Sequence, residues 1–254
     1  MAMFSIALCL ITFALSTSAH TVLVTGATGR SGRLIYSELQ QQGVQVRGLV
    51  RDPAEAKKVL NCGKCGPAEG IFVGDVTKPD TLVGAVKGVD SVAIAVGTTG
   101  RASEEVTKNV EWLGVINQVR ALAEANHNQP DLFVALISSM GTTDPNPKPF
   151  AGGKVLFWKL QAEAFLSTSG IPMAIVKPCG LVDSLAPNRT LLVGHNDELQ
   201  VSPPIIRRQD VARVVVQAIL HRHSGLRFDV CSKEGPRTTD LEALLQSARW
   251  SWQQ

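Results

Sequence analysis

Tyrosine is nearly missing from this chain of 254 residues: Tyr36 is the only one, and aromatic side chains make up 5%. Chemistry that needs a phenol beside a substrate must use Tyr36 or do without it. Charge is also sparse. The net charge is +3, and lysine and arginine are scattered without a basic run, so the electrostatic footprint of a nucleic-acid binder is absent. No internal repeat or low-complexity linker interrupts the chain. The most apolar stretch, Met3 to Leu15, is short for a bilayer span. Only one C-x-x-C occurs, at Cys62 and Cys65, and without a second pair it argues against zinc. No metal is expected.

At 44% hydrophobic residues the chain can bury the core of one large α/β domain. The start reads separately. An apolar run is followed by small residues, with Thr17 and Ala19 placed like a cleavage site, which predicts a cleaved signal peptide over 1–19 and entry to the secretory route. The early residues carry no lysine or arginine, so an uncleaved membrane anchor or a folded N-terminal strand are the alternatives. The mature part, 20–254, is expected to hold no transmembrane span. Asn188-Arg189-Thr190 is a glycosylation sequon, meaningful only on that route. In an oxidising compartment Cys62 and Cys65 read as a small loop disulfide, with a redox dithiol as another reading. Cys179 and Cys231 lie in apolar strand contexts, where buried thiols are expected.

Short β-branched runs alternate with helical stretches. Strands are predicted at Thr21–Thr25, Val44–Val50, Ile71–Val73, Ser91–Val96, Leu132–Ile137, Pro172–Val176 and Leu226–Val230. Helices are predicted after Gly32, from Pro79, over Glu104–Asn126, over Lys154–Ser167 and over Val211–Leu220. Strands this apolar are buried on both faces, which is the mark of a parallel sheet. The alternation therefore predicts an α/β, Rossmann-type doubly wound sheet. The segment after Cys179 is less periodic and is expected to form a small lobe on the substrate side.

The first strand runs directly into Gly26-Ala27-Thr28-Gly29-Arg30-Ser31-Gly32. Gly26 permits the turn, Gly29 lets backbone approach a pyrophosphate, and Gly32 lets the following helix pack closely. A helix N-terminus offers free N–H groups and a positive dipole end to phosphates. At the end of the second strand stands Arg51, where an NAD-binding protein usually carries an acid. A guanidinium suits the 2′-phosphate of NADP, and Arg30 adds a second positive charge. Asp52 stands one step late for the usual acid but could still bind a ribose. Asp75 and Val76 follow the third strand, where an adenine would rest, although Asp75 also suits a cap for Thr77-Lys78-Pro79. NADP is the expected cofactor and NAD the alternative.

The stretches VLVTGATGRSGR, GLVRDP, FVGDVT, ISSMGTT, FWKLQAEAFLSTSGIPMAIVKPCGL, LLVGHNDEL and IIRRQDVARVVVQAIL resemble the atypical short-chain dehydrogenases, NmrA-like branch, and especially small plant NADP-binding members. The resemblance implies strand order 3-2-1-4-5-6-7, cofactor across the carboxyl edge, and a plastid as an alternative destination. Catalytic members use Ser, Tyr and Lys. Lys159 matches the family lysine, but the residue four positions earlier is Val155, which has no proton to give. Ser138 and Ser139, at the end of the fifth strand, are placed to bind the nicotinamide ribose or a substrate carbonyl. Lys159 either bonds that ribose or pairs with Glu163 at the surface. Pro178 borders the nicotinamide, and Cys179 stands where the family commonly has glycine. His195 reads as part of a hairpin turn.

Two functions fit these residues. One is an oxidoreductase on a small carbonyl or quinone-like substrate, with Ser138, Ser139 and Lys159 as the catalytic candidates. The other is a cofactor-binding sensor, scaffold or assembly subunit that meets protein partners through its outer helices.

Overall fold

Thr21–Thr25 (β1) is buried at every position, and a strand without a polar face must be covered on both sides. The computed structural model describes residues 20–98, 101–127, 129, 131–144, 154–186 and 188–253. The expected leader, residues 1–19, lies outside them. After β1 come Gly32–Gln41 (α1), Gln45–Val50 (β2), Pro53–Val59 (α2), Ile71–Val73 (β3), Val83–Val86 (α3) and Ser91–Ile94 (β4). Glu104–Lys108 (α4), Gly114–Ala125 (α5), Phe133–Ile137 (β5), Val155–Ser167 (α6), Met173–Pro178 (β6) and Gly180–Val182 (β7) follow. The chain then runs through Arg189–Gly194 (β8), Ile205–Arg207 (β9), Arg208–Leu220 (α7), Leu226–Glu234 (β10) and Leu241–Ser247 (α8).

The large sheet has the order β3-β2-β1-β4-β5-β6-β10-β8. Its first seven strands are parallel and reproduce the order the family resemblance implies. The eighth, β8, pairs antiparallel with β10 and has no counterpart among the predicted strands. β7 and β9 pair separately and form the small lobe beside the carboxyl edge. Alternation along β1 sends Val22 and Val24 to one apolar layer and Leu23 to the other. The first layer is closed by α1 and α7, the second by α3, α5 and α6. Fully burying each such aliphatic side chain contributes about 1.5–3 kcal/mol.

Three local expectations are corrected. The single helix over Glu104–Asn126 is interrupted by a π-helical turn at Asn109–Leu113. The wider turn carries Glu111 inward, to 3% exposure, which apolar periodicity does not encode. The helix from Pro79 begins as a 3-10 turn, and only Val83–Val86 is α-helical. Cys179 and Cys231 are not thiols but a disulfide, with Cα atoms 5.3 Å apart. The β6–β10 register sets Pro178 against Val230, so the next residue on each strand falls within bridging distance. Cys62 and Cys65 are also bonded to each other.

A buried ion cluster joins the strands near the carboxyl edge. Lys177 is 0% exposed. Its ammonium donates to Thr143 Oγ1 and Asp197 Oδ1, at 2.8 Å each, and lies 3.1 Å from Asp229 Oδ1. Burial raises the Asp229 carboxyl above its ordinary value against the pull of Lys177. For Asp197 the upward push of burial is overcome by Lys177 and by the N–H groups of Gly141 and Thr143, and its pKa falls from 3.8 to about 2. A carboxyl depressed in the folded state contributes stability that is complete above its unfolded pKa and is lost as pH falls through its folded one. The raised Asp229 contributes in the opposite sense. Acid titration followed by circular dichroism should therefore show the Asp197 contribution disappearing between the ordinary 3.8 and about 2. Asp197→Asn should flatten that limb, and an unchanged limb would remove Asp197 from the account.

Candidate nucleotide-binding site

The turn after β1 is shaped by two glycines. Gly26 has φ +66°, and a Cβ there would sit 2.9 Å from Ala95 O. At Gly32 a Cβ would sit 2.1 Å from Gly26 O, so the start of α1 closes onto the turn itself. Gly29 N–H donates to Gly26 O at 2.8 Å. Among the described residues no acceptor takes the backbone N–H groups of Arg30, Ser31 or Gly32. The first N–H groups of a helix have no partner within it. Three open ones at the start of a ten-residue helix offer donors of the kind that phosphate oxygens take.

A trough runs from this turn in both directions along the carboxyl edge. One arm, about 390 Å³, is lined by Thr28, Arg51, Glu55, Asp75 and Val76. The other, about 850 Å³, is lined by Arg30, Ser31, Ser138, Ser139, Lys159 and Pro178. Gly29 and the stretch from Ala95 to Thr98 border both. The chain reverses strand order between β1 and β4, and open α/β sheets bind ligands at that switch point. The two arms meet at Gly29 and the Ala95–Thr98 stretch, at that switch point.

In the smaller arm Arg51 is exposed and makes no ion pair among the described residues. Asp75 Oδ1 accepts from Thr77 N and Thr77 Oγ1, at 2.9 and 2.8 Å. Those bonds, Thr77 N–H first, hold the Asp75 carboxyl below its usual range, with Arg51 adding to the effect. Val76 is buried, and a Cβ on Gly114 would meet its side chain at 2.9 Å. Asp52 does not border the arm; it caps α2 by accepting from Ala54 N at 2.8 Å. Arg30 faces the larger arm, away from Arg51. It lies 3.7 Å from Asp183, which also takes Arg208 at 2.6 Å.

The larger arm decides which groups carry protons. Ser138 is buried, and its hydroxyl donates to Glu163 Oε1. Glu163 is 1% exposed and is neutralised by Arg227, whose Nη2 lies 2.7 Å away. Ser138 therefore presents lone pairs, not a proton. Ser139 Oγ donates to Met140 O at 2.8 Å. Lys159 pairs with Glu111 at 2.9 Å rather than with Glu163; Glu163 points at the sheet end, and the π turn brings Glu111 to the lysine instead. Glu111 also accepts from Thr98 N and Thr98 Oγ1. A second Lys159 N–H reaches Ile137 O at 3.4 Å, and among the described residues the third has no acceptor. Val155 lines the same arm. Tyr36 is 3% exposed in the α1 layer, where burial raises its pKa.

Sequence reasoning pointed to Glu163 for the wrong partner and missed Glu111, Arg208, Arg227 and Lys177. His195 stacks on Trp250, with ring centroids 3.8 Å apart. It precedes Asn196 and Asp197, both at positive φ, as a tight turn requires. Among the described residues no group of three or more His, Cys, Asp or Glu could hold a metal. No helix there is long and apolar enough to cross a membrane.

Residues 26–222 match the family model described as NAD(P)H-binding. The chain is 34% identical over 257 residues to an uncharacterized chloroplastic protein of Arabidopsis thaliana, At2g37660, with 91% of this chain and 76% of that one covered. It is 30% identical to sanguinarine reductase of Eschscholzia californica, covering 90% and 96%. It is 28% identical to the photosystem II assembly factor Ycf39 of Synechocystis, covering 78% and 58%. Among solved structures, the oxidoreductase YlbE of Lactococcus lactis shares the fold at 17% identity and a TM-score of 0.70, covering 91% and 99%.

Proposed function

The chain belongs to the NAD(P)H-binding family, among the atypical short-chain dehydrogenases, and from that membership we propose that it is an NADP-dependent reductase of a small quinone-like or carbonyl acceptor. Residues 20–254 act as one nucleotide-binding domain. The cradle at Gly29 to Gly32 holds the pyrophosphate, Arg51 the 2′-phosphate, and Asp75 with Val76 the adenine. Ser138, Lys159 and Pro178 border the nicotinamide. That group, when bound, supplies a hydride.

The observation that carries this reading is the state of Ser138, Ser139 and Lys159, three of the polar groups that line the large arm. Both serine protons are committed to protein acceptors, and of these three side chains Lys159 alone keeps an N–H without an acceptor among the described residues. A cationic donor such as Lys159 steadies a developing oxyanion but does not replace a phenol matched to proton transfer. Acceptors that need little protonation, such as quinones, are therefore favoured over simple ketones. The relatives named chloroplastic support a plastid location over the secretory route. Kinship to an assembly factor favours a second reading, in which NADP is held without turnover in a larger complex.

Cofactor choice has a direct test. Losing a charged hydrogen bond costs about 1.5–3 kcal/mol. Arg51→Ala should weaken NADP binding roughly 10- to 150-fold and leave NAD nearly unchanged, as read by calorimetry. Equal affinity of the unmodified protein for both dinucleotides would sink the assignment. In parallel, NADPH oxidation with a quinone and with a simple ketone separates the readings. Turnover on the quinone supports the reductase; none on any acceptor supports the assembly subunit.

A further inference from the structure

We propose that Cys62 and Cys65 form a thiol–disulfide exchange site for a dithiol partner, and that its redox state tunes the adenosine arm of the trough. The two sulfurs differ in access. Cys65 is 4% exposed and packs in the core layer with Ala56 and Leu60. Cys62 is partly exposed at the surface of the same loop. An incoming thiolate can thus reach one sulfur and not the other, which fixes the direction of attack. The other bridge, Cys179–Cys231, has 7% and 1% exposure and is shielded at both ends.

The step balances as ordinary exchange. A thiolate of the dithiol attacks Cys62 Sγ, forming a mixed disulfide and breaking the Cys62–Cys65 bond, and Cys65 leaves as thiolate. The partner's second thiolate then attacks its own bridged sulfur and releases Cys62. The partner ends as a disulfide, oxidised by two electrons; Cys62 and Cys65 end as thiols carrying its two protons.

Glu69 sets the poise of the site. Its carboxylate accepts from the N–H groups of Gly63, Lys64 and Cys65, at 3.0, 2.8 and 2.6 Å. Those donors are then unavailable to a Cys thiolate, and the carboxylate adds a like charge beside it. Both effects disfavour the reduced form.

Position in the chain links the loop to the cofactor. On one side it leads back through α2 to Glu55 and Arg51; on the other it leads through β3 to Gly74 and Asp75. All four border the adenosine arm. Cys65 has φ +52°, a region that residues with a side chain, Asn and Asp aside, rarely adopt. Opening the bridge frees Cys65, and with it the spacing of the two walls. This coupling rests on the reading of Arg51 as the 2′-phosphate ligand; the exchange site does not.

The test uses the oxidised full chain and dithiothreitol as the dithiol. Thiols are trapped with N-ethylmaleimide and located by mass, and NADP and NAD are titrated before and after. Cys62 and Cys65 should label first, with Cys179 and Cys231 still protected, and NADP affinity should fall about tenfold while NAD changes little. The Cys62→Ser/Cys65→Ser variant should bind NADP as the reduced protein does and ignore the reductant. Glu69→Gln should favour the reduced form about tenfold, a shift of about 30 mV. Labelling of Cys179 and Cys231 first, or together with the pair, overturns the exchange site. Equal NADP affinity in both redox states overturns the coupling. NADP and NAD binding equally to the oxidised chain would instead count against the Arg51 reading and leave the labelling order standing.

Discussion

Lys159→Met is expected to lower acceptor reduction about 10²- to 10³-fold, the range that removing one oxyanion donor costs. Ser138 and Ser139 cannot compensate, because their protons are held by Glu163 and Met140 O. The substitution also leaves Glu111, 2% exposed at its side chain, without its cation. Breaking one partner of a buried pair costs about 3–5 kcal/mol, so a stability control is needed. Lys159→Met combined with Glu111→Gln removes the orphaned charge and should recover much of the fold's stability without recovering the rate. A double variant that reduces quinones at the unmodified rate would show that Lys159 has no part in the chemistry. Val155→Tyr tests the same arm from the other direction. Val155 lines the cleft with Lys159 at the family's tyrosine spacing, so ketone reduction should rise while quinone reduction changes less.

Lys177→Met should be the most destabilising single substitution in the sheet. It deletes the cation of a cluster in which Asp229 is 0% and Asp197 18% exposed at the side chain. Two carboxylates would then face each other without compensation. The expected loss is about 3–5 kcal/mol, which for a domain of this size lowers Tm by about 6–20 °C. Differential scanning calorimetry reads it directly. Adding Asp229→Asn should return part of the loss, since a neutral amide takes the place of the stranded charge. A Tm that barely moves in Lys177→Met would mean that water reaches the cluster and screens it.

How much of this was legible beforehand depends on the range of the interaction. The cofactor turn was readable because its determinants are local: three glycines, a strand before them and a helix after. The same holds for the place of Arg51 beside the smaller arm, which follows from the length of β2. Glu111 was not readable, because it faces the lysine only through a π turn, and apolar periodicity looks the same with or without one extra residue. Glu163 stood four residues from Lys159 and suggested a surface ion pair. The fold instead turns it to Ser138 and Arg227, a strand 64 residues away.

By itself the sequence determined the layered α/β architecture, the nucleotide cradle and the missing phenol, since each follows from backbone geometry or from a residue type that is present or absent. Tertiary structure alone decided which carboxylate neutralises Lys159, which acceptors hold the two serine protons, that Cys179 joins Cys231, and that Lys177 is buried between two acids. Those outcomes are set by the register of neighbouring strands and the facing of helices packed across them. Distance in space, not separation along the chain, determines charge pairing and proton ownership.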